Sequence, residues 1–287
     1  MTTAGAKRSS SGRFLDVGDA RIHYRLSGPK GGEPVVLIMG LGWDMSGWDP
    51  TLPYLEGYRL LRLDNRGAGL SDAPDRPYSI PLMARDTIRV MDAAGMSAAH
   101  VYGASLGSMI AQEIALSHPD RVRSLILGCP SPGVISIPGA PGILRLMLTR
   151  GRYTHEEAIR RAAPYLFHRA LLQSPEVIEE ALQRRLAMPI NPAGYRRQLQ
   201  ASLRWSSLSR LPRLRVPTLI VHGDHDRLVP PLNGRLISLL VPGARFHSIR
   251  GAGHVYGTDA PGEAARVVVD FIRDQPGGFR EYTRARP

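Results

Sequence analysis

The chain has 287 residues, 43% of them hydrophobic and 22% charged, which excludes a disordered segment or a fibre and leaves ample apolar material for a core. Its longest apolar stretch, Val35 to Trp43, is about half of the roughly twenty residues a bilayer crossing needs, so no membrane span is expected. One cysteine, Cys129, excludes an intramolecular disulfide and a cysteine-built zinc cage, while 37 Lys+Arg against 25 Asp+Glu leave a net charge of +12.

From the N-terminus, residues 1–12 read as a loose tail without the apolar run of a secretory signal, which predicts a cytoplasmic protein. Arg13–Val17 and Arg21–Leu26 pattern as two short strands joined through a Gly18-Asp19 turn. Pro34–Met39, Tyr58–Asp64, Ala98–Ala104, Val122–Leu127, Pro217–His222 and Ala244–Ile249 are short, continuously apolar runs, the pattern of strands covered on both faces. Helical periodicity intervenes at Ile80–Ala94, Ser105–Ser117, Leu232–Leu240 and Pro261–Phe271. This alternation predicts an α/β fold with a mostly parallel eight-stranded sheet flanked by helices.

The alternation breaks once. Between Ser131 and Arg215 no strand signal appears, but helix starts do, at Thr154-His155-Glu156-Glu157, Ser174-Pro175 and Asn191-Pro192. The expected organisation is therefore a core of residues 13–130 and 215–275, a helical cap subdomain of residues 131–214 inserted after strand 6, and a second loose tail at 276–287. Nearly all of the positive charge is arginine, since Lys7 and Lys30 are the only lysines. With no helix-turn-helix, zinc-finger or RNP-like pattern and only 6% aromatics, solvated faces account for it better than a specific nucleic-acid partner.

The strongest chemical motif is Gly103-Ala104-Ser105-Leu106-Gly107. The pattern alone arises often by chance, but here it follows the apolar strand His100-Val101-Tyr102 and opens a helix. A serine at such a turn is lifted above the sheet, with the helix N-terminus aimed at it and a glycine on either side to relieve crowding. The competing reading is a glycine-rich turn whose serine merely caps the helix. Serine needs a base to take its proton, and the base needs an orienting group. Downstream, Gly223-Asp224-His225-Asp226 closes one strand and Gly251-Ala252-Gly253-His254 closes the last, so the order is nucleophile, acid, histidine.

At this point the chain resembles the α/β-hydrolase fold family, from Phe14 to Asp274. The resemblance rests on Met39-Gly40-Leu41-Gly42, Asp64-Asn65-Arg66-Gly67-Ala68-Gly69-Leu70-Ser71, the Ser105 turn, Gly223-Asp224-His225-Asp226 and Gly253-His254. It implies Ser105 as nucleophile, His254 as general base and, from the family's Gly-x-x-Asp turn, Asp226 rather than Asp224 as the acid. It also implies an oxyanion hole made by the backbone N–H groups of Leu41 and Leu106, with Met39-Gly40 where the family commonly has His-Gly. Relatives that open epoxides or displace halide carry aspartate at the nucleophile position, so Ser105 implies an acyl-enzyme route without cofactor. The expected partner is a small apolar ester or lactone; a thioester, a carbon–carbon bond, perhydrolase chemistry and a non-catalytic binding protein remain as alternatives.

The cluster His222, Asp224, His225 and Asp226 has the composition of a metal site, but an acid turn explains it with fewer assumptions, and no metal is expected. Cys129 reads as a small buried hydrophobe, and Asp64 and Arg66 as structural partners in their loop. Trp43, Met147, Phe167, Met188 and Trp205 are the candidate lining of a substrate pocket between the cap and Ser105.

Overall fold

The computed structural model describes residues 12–148, 156–168, 170, 173–188 and 190–275. The expected tails, Gly12 apart, and the Thr154-His155 part of the expected capping box lie outside the described residues. Eight strands form one sheet: β1 (Arg13–Asp16), β2 (Arg21–Ser27), β3 (Pro34–Ile38), β4 (Arg59–Leu63), β5 (Ala99–Ala104), β6 (Val122–Gly128), β7 (Thr218–Gly223) and β8 (Arg245–Ile249). Their spatial order is β1-β2-β4-β3-β5-β6-β7-β8. Only the β1/β2 and β2/β4 pairings are antiparallel; every other neighbour is parallel. The eight strands foreseen, six from apolar runs and two from the patterned pair around Gly18-Asp19, are all present, within a residue or two at their ends. β3 stops at Ile38, before the expected Met39, because the Met39 carbonyl leaves the ladder to accept from Asn65 Nδ2 at 2.9 Å.

Alternate strand residues feed two cores. Val36, Ile38, Val101, Leu125, Leu127 and Ile220 point to one face and pack with α1 (Ile80–Ala93) and α2 (Leu106–Ser117) through Ile80, Met83, Ile110 and Ile114. Val35, Leu37, Tyr102, Ile126, Leu219 and Val221 point to the other, beneath α8 (Tyr256–Asp259) and α9 (Pro261–Arg273) with Val268, Phe271 and Ile272. α7 (Pro231–Leu240) packs on the first face through Ile237. Each fully buried aliphatic side chain contributes about 1.5–3 kcal/mol, which is why strands this short hold without a disulfide.

Between β6 and β7 the described helices are α3 (Ile143–Leu148), α4 (Glu156–Leu166), α5 (Pro175–Leu186) and α6 (Pro192–Ser202). Asn191 caps α6 by accepting from the Gly194 amide at 2.8 Å, whereas Ser174 makes no side-chain cap bond to α5. α4 and α5 bury a small core of their own, with Ile159, Ala163, Phe167, Ile178 and Leu182. Among the described residues no helix is long and apolar enough to cross a membrane. Much of the arginine is tied locally to carboxylates, in Arg121–Asp92, Arg123–Glu33, Arg210–Glu113 and Arg245–Asp274 among others.

Asp64 and Arg66 are not partners of each other, contrary to the sequence expectation. Arg66 is fully buried and forks onto Asp86 (2.5 and 2.9 Å) and Asp19 (2.8 and 3.1 Å), binding the loop after β4 to α1 and to the β1–β2 turn. Asp64 instead accepts from His23 Nδ1, Met45 N and Leu70 N, and so braces the chain after β3. Removing one partner of a buried ion pair leaves the other charge stranded, so Arg66→Met should lower the unfolding free energy by about 3–5 kcal/mol in a denaturant titration. A loss under about 1 kcal/mol would mean that the Asp86 charge is solvated or neutralised some other way.

Candidate active site

The turn after β5 is built by exclusion. A Cβ on Gly103 would lie 2.1 Å from the Gly107 carbonyl oxygen, and one on Gly107 would lie 2.1 Å from that of Ile38, so only glycine lets strand, turn and helix approach this closely. Between them Ser105 has φ 54° and ψ −118°, a left-handed conformation of the kind that costs a residue with a Cβ about 1–3 kcal/mol. Ser105 stands at the N-cap of α2 yet makes no side-chain cap bond, although serine at an N-cap ordinarily accepts from the first-turn amides. Ser108 donates its amide (2.9 Å) and its hydroxyl (2.6 Å) to the Ser105 carbonyl. The reading of Ser105 as a mere capping serine is therefore wrong.

The strand ends beyond it carry the other two groups. Asp226, after β7, is 4% exposed and receives four N–H groups. Its Oδ1 accepts from the amides of Leu228 (2.9 Å) and Val229 (2.8 Å), and its Oδ2 faces His254 Nδ1 (2.7 Å) and His222 Nε2 (3.2 Å). His222 Nε2 also lies 2.8 Å from the Val229 carbonyl, which can only accept, so this nitrogen carries the proton and shares it with Asp226. Burial works against the charged carboxyl, but the facing His254 and the His222 and His254 hydrogen bonds outweigh it and bring Asp226 down to about 2. His254, after β8, is 8% exposed. Burial alone would push its imidazole down; the Asp226 carboxylate, helped by Cys129, holds it well above 6.5.

Asp224, the rejected alternative acid, has a different task. It pairs with His225 at 2.7 Å and accepts from the Gly251 amide at 2.6 Å, lacing the acid loop to the histidine loop from the outside. Asp259, a buried acid to which no sequence signal pointed, accepts from Gly253 N at 2.7 Å and from Ala170 N at 2.8 Å, so the histidine loop is anchored to the inserted helices. No sequence signal singles out His222 either, beyond its place in the cluster read as an acid turn. Its spacing of four from Asp226 was the available clue, but only the strand-to-loop turn brings the two side chains together.

Leu41 and Leu106 both line the cavity beside Ser105. Gly40 allows this closeness, since a Cβ there would be 3.2 Å from that of Ser105. The loop is held by Asn65 at Met39 and by Gln198 of α6, whose Oε1 accepts from Gly42 N at 2.9 Å and whose Nε2 donates to the Arg66 carbonyl at 2.8 Å. A helix of the insertion thus positions the loop expected to supply an oxyanion donor.

The cavity, about 250 Å³, lies between the carboxyl ends of the strands and the inserted helices. Ser105 and His254 both line it, together with Trp43, Met147 and Met188 from the sequence expectation. Phe167 and Trp205 do not. Phe167 fills the α4–α5 core, and Trp205 belongs to the first sheet core, with its indole N–H donated to Glu113 at 2.8 Å. Both rings, each just beyond a helix end, bury against the scaffold rather than the cavity. His254 Nε2, the nitrogen opposite the carboxylate, has Cys129 Sγ at 3.8 Å and no hydrogen bond to Ser105 Oγ. Cys129 is thus more than an inert buried hydrophobe: it lines the cavity against the imidazole.

A model of the alpha/beta hydrolase fold family matches residues 33–260. The chain is 29% identical over 247 residues to a poly(3-hydroxyalkanoate) depolymerase of Ectopseudomonas oleovorans, covering 84% of this chain and 85% of that protein. It is also 29% identical over 276 residues to a 2-hydroxy-6-oxo-6-phenylhexa-2,4-dienoate hydrolase of Comamonas testosteroni, covering 91% and 94%. Among solved structures, the enol-lactonase of Burkholderia xenovorans LB400 superposes with a TM-score of 0.81 at 26% identity, over 91% of this chain and all of that one.

Because Asp226 and burial pull the imidazole in opposite directions, the sign can be tested. In the intact protein the His254 ring, followed by NMR, should titrate above 6.5, staying charged as pH rises through that value. In Asp226→Asn the burial penalty is opposed by Cys129 alone, and the same ring should titrate clearly lower than in the intact protein. A ring unmoved by that substitution would mean that the carboxylate does not govern it.

Proposed function

The chain belongs to the alpha/beta hydrolase fold family, and on that premise we propose that it is a serine hydrolase acting on a carboxylic ester or lactone of a small, mainly apolar substrate. The observation that carries this reading is a strained, non-capping serine that shares a cavity with an imidazole whose far nitrogen is held by a buried carboxylate. In this reading residues 131–214 form the cap over the cavity and residues 13–130 and 215–275 form the catalytic core. The apolar walls, with Trp43, Met147, Met188 and Leu199, favour an apolar acyl or alcohol group. The family's solved enol-lactonase and its poly(3-hydroxyalkanoate) depolymerase relative support an ester or lactone carbonyl.

Once the imidazole has lost its Nε2 proton to solvent, Ser105 Oγ attacks the substrate carbonyl carbon as its own proton passes to His254 Nε2. The Oγ–Nε2 hydrogen bond, absent at rest, forms when substrate fills the cavity, as catalytic hydrogen bonds commonly do on leaving the resting state. The carbonyl electrons move onto oxygen, and the resulting oxyanion is taken by the N–H groups of Leu41 and Leu106, each such donor being worth about 3 kcal/mol. Collapse expels the alcohol, protonated by His254. A water molecule, deprotonated by the same nitrogen, then attacks the acyl-enzyme and releases the acid. Asp226 stays ionised throughout; it keeps the Nδ1 proton in place and stabilises the imidazolium, while His222 and the Leu228 and Val229 amides hold the carboxylate still.

Two measurements test the assignment. A fluorophosphonate probe should label the intact protein and leave Ser105→Ala unlabelled, with hydrolysis of p-nitrophenyl esters lost in parallel; retention of most activity in that variant would refute it. Asp226→Asn should lower kcat by about four orders of magnitude, with KM little changed, because the imidazole loses its tautomer and its orientation.

A further inference from the structure

Cys129 and His254 together have a capacity that ester cleavage does not use. The cysteine ends β6 with φ 39°, the left-handed conformation that a side chain with a Cβ adopts only under constraint. That conformation turns Sγ toward the cavity, 3.8 Å from His254 Nε2, and both residues are buried. A thiol is a weak donor, and this spacing is long for a hydrogen bond worth much. It does suit two ligands of one ion. With metal–sulfur and metal–nitrogen bonds of about 2.3 and 2.05 Å, atoms at this spacing subtend about 120° at the metal, the trigonal angle and about ten degrees wider than the tetrahedral one.

The surroundings fit as well. Metal-bound histidine ordinarily donates its other ring N–H to a carboxylate, which fixes the ring and raises its basicity. His254 already does so, through Nδ1 to Asp226 Oδ2 at 2.7 Å. Ligand atoms of Cys129, Asp226 and His254 all lie within 4.8 Å of one another, so the carboxylate adds negative charge beside the pair. Sulfur with imidazole favours soft or borderline cations over magnesium or calcium.

We propose that Cys129 Sγ and His254 Nε2 form a site for a soft divalent cation of the zinc and cadmium class, whose occupation switches off the chemistry of Ser105. On binding, the thiol proton and the Nε2 proton of the charged imidazole pass to solvent, a metal–thiolate bond forms, and the freed Nε2 lone pair is donated to the ion; nothing is oxidised or reduced. That lone pair is the one that would take the Ser105 proton. The remaining coordination positions open on the cavity and take water, so two protein ligands give a reversible block rather than a structural cage. Binding stands apart from the hydrolase reading; only the loss of turnover rests on it.

Cadmium chloride, titrated into the full chain in buffer free of thiols and chelators, tests both parts. The single cysteine makes the ultraviolet thiolate-to-cadmium absorption an unambiguous reporter. The expected result is a band that saturates near one equivalent, vanishes with EDTA, is absent in Cys129→Ala and Cys129→Ser, and forms at least about tenfold more weakly in His254→Gln. Circular dichroism establishes that each variant is folded; two cysteine variants are used so that failure of one leaves the other. p-Nitrophenyl ester turnover should fall in step with the band and recover with EDTA, and the inhibitory cadmium concentration should rise at least about tenfold in a folded cysteine variant that retains turnover. No band, or an equally tight band in His254→Gln, would overturn the site, the latter by reducing it to a bare thiol. A band without inhibition would overturn the switch. A band in a protein with no esterase activity would support the site and count against the hydrolase reading alone.

Discussion

Asp226 is a charge kept out of water, and the arrangement around the cavity depends on how that charge is tolerated. A lone buried carboxylate would neutralise itself, since its desolvation costs several kcal/mol. Here four N–H groups replace the lost water: two amides from the turn it begins, His222 from the strand before it and His254 from a different strand end. The same contacts dictate the state of the imidazole, because a carboxylate held ionised at Nδ1 leaves Nε2 as the only nitrogen free to work in the cavity. Orientation, tautomer and basicity therefore have a single physical source.

A second constraint is steric and local. The turn at Ser105 stores backbone strain that the flanking glycines make possible and the sheet core makes affordable. Strain of this kind persists only where the surroundings over-determine it, as β5 and α2 do here from either side. Its consequence is chemical: the hydroxyl that would otherwise cap α2 makes no cap bond. Cys129 repeats the device one strand over, again with positive φ, and presents a thiol to the same imidazole.

The loops at this rim are braced by polar side chains rather than by packing. Asp64, Asn65 and Gln198 hold the chain after β3, Asp224 ties the acid loop to the histidine loop, and Asp259 ties that loop to the inserted helices. Bonds from Gln198 and to Asp259 join the insertion to the core, so movement of the inserted helices would reach the loop after β3 and the His254 loop directly.

Amino-acid order alone was enough for the strands, because a sheet covered on both faces demands short uninterrupted apolar runs, and those runs are visible without coordinates. The sharp turn at Ser105 was legible as well, since glycines at 103 and 107 between a strand and a helix leave few conformations open, and so was the place of Asp226 and His254 in the loops after the last two strands. Which groups surround them was decided only by folding. The pairing of His222 with Asp226, the separation of Arg66 from Asp64, the burial of Phe167 and Trp205 away from the cavity and the closeness of Cys129 to His254 all join or divide residues through three-dimensional approach. Periodicity records which face a side chain takes on its own element; it carries no information about which neighbour that face will meet.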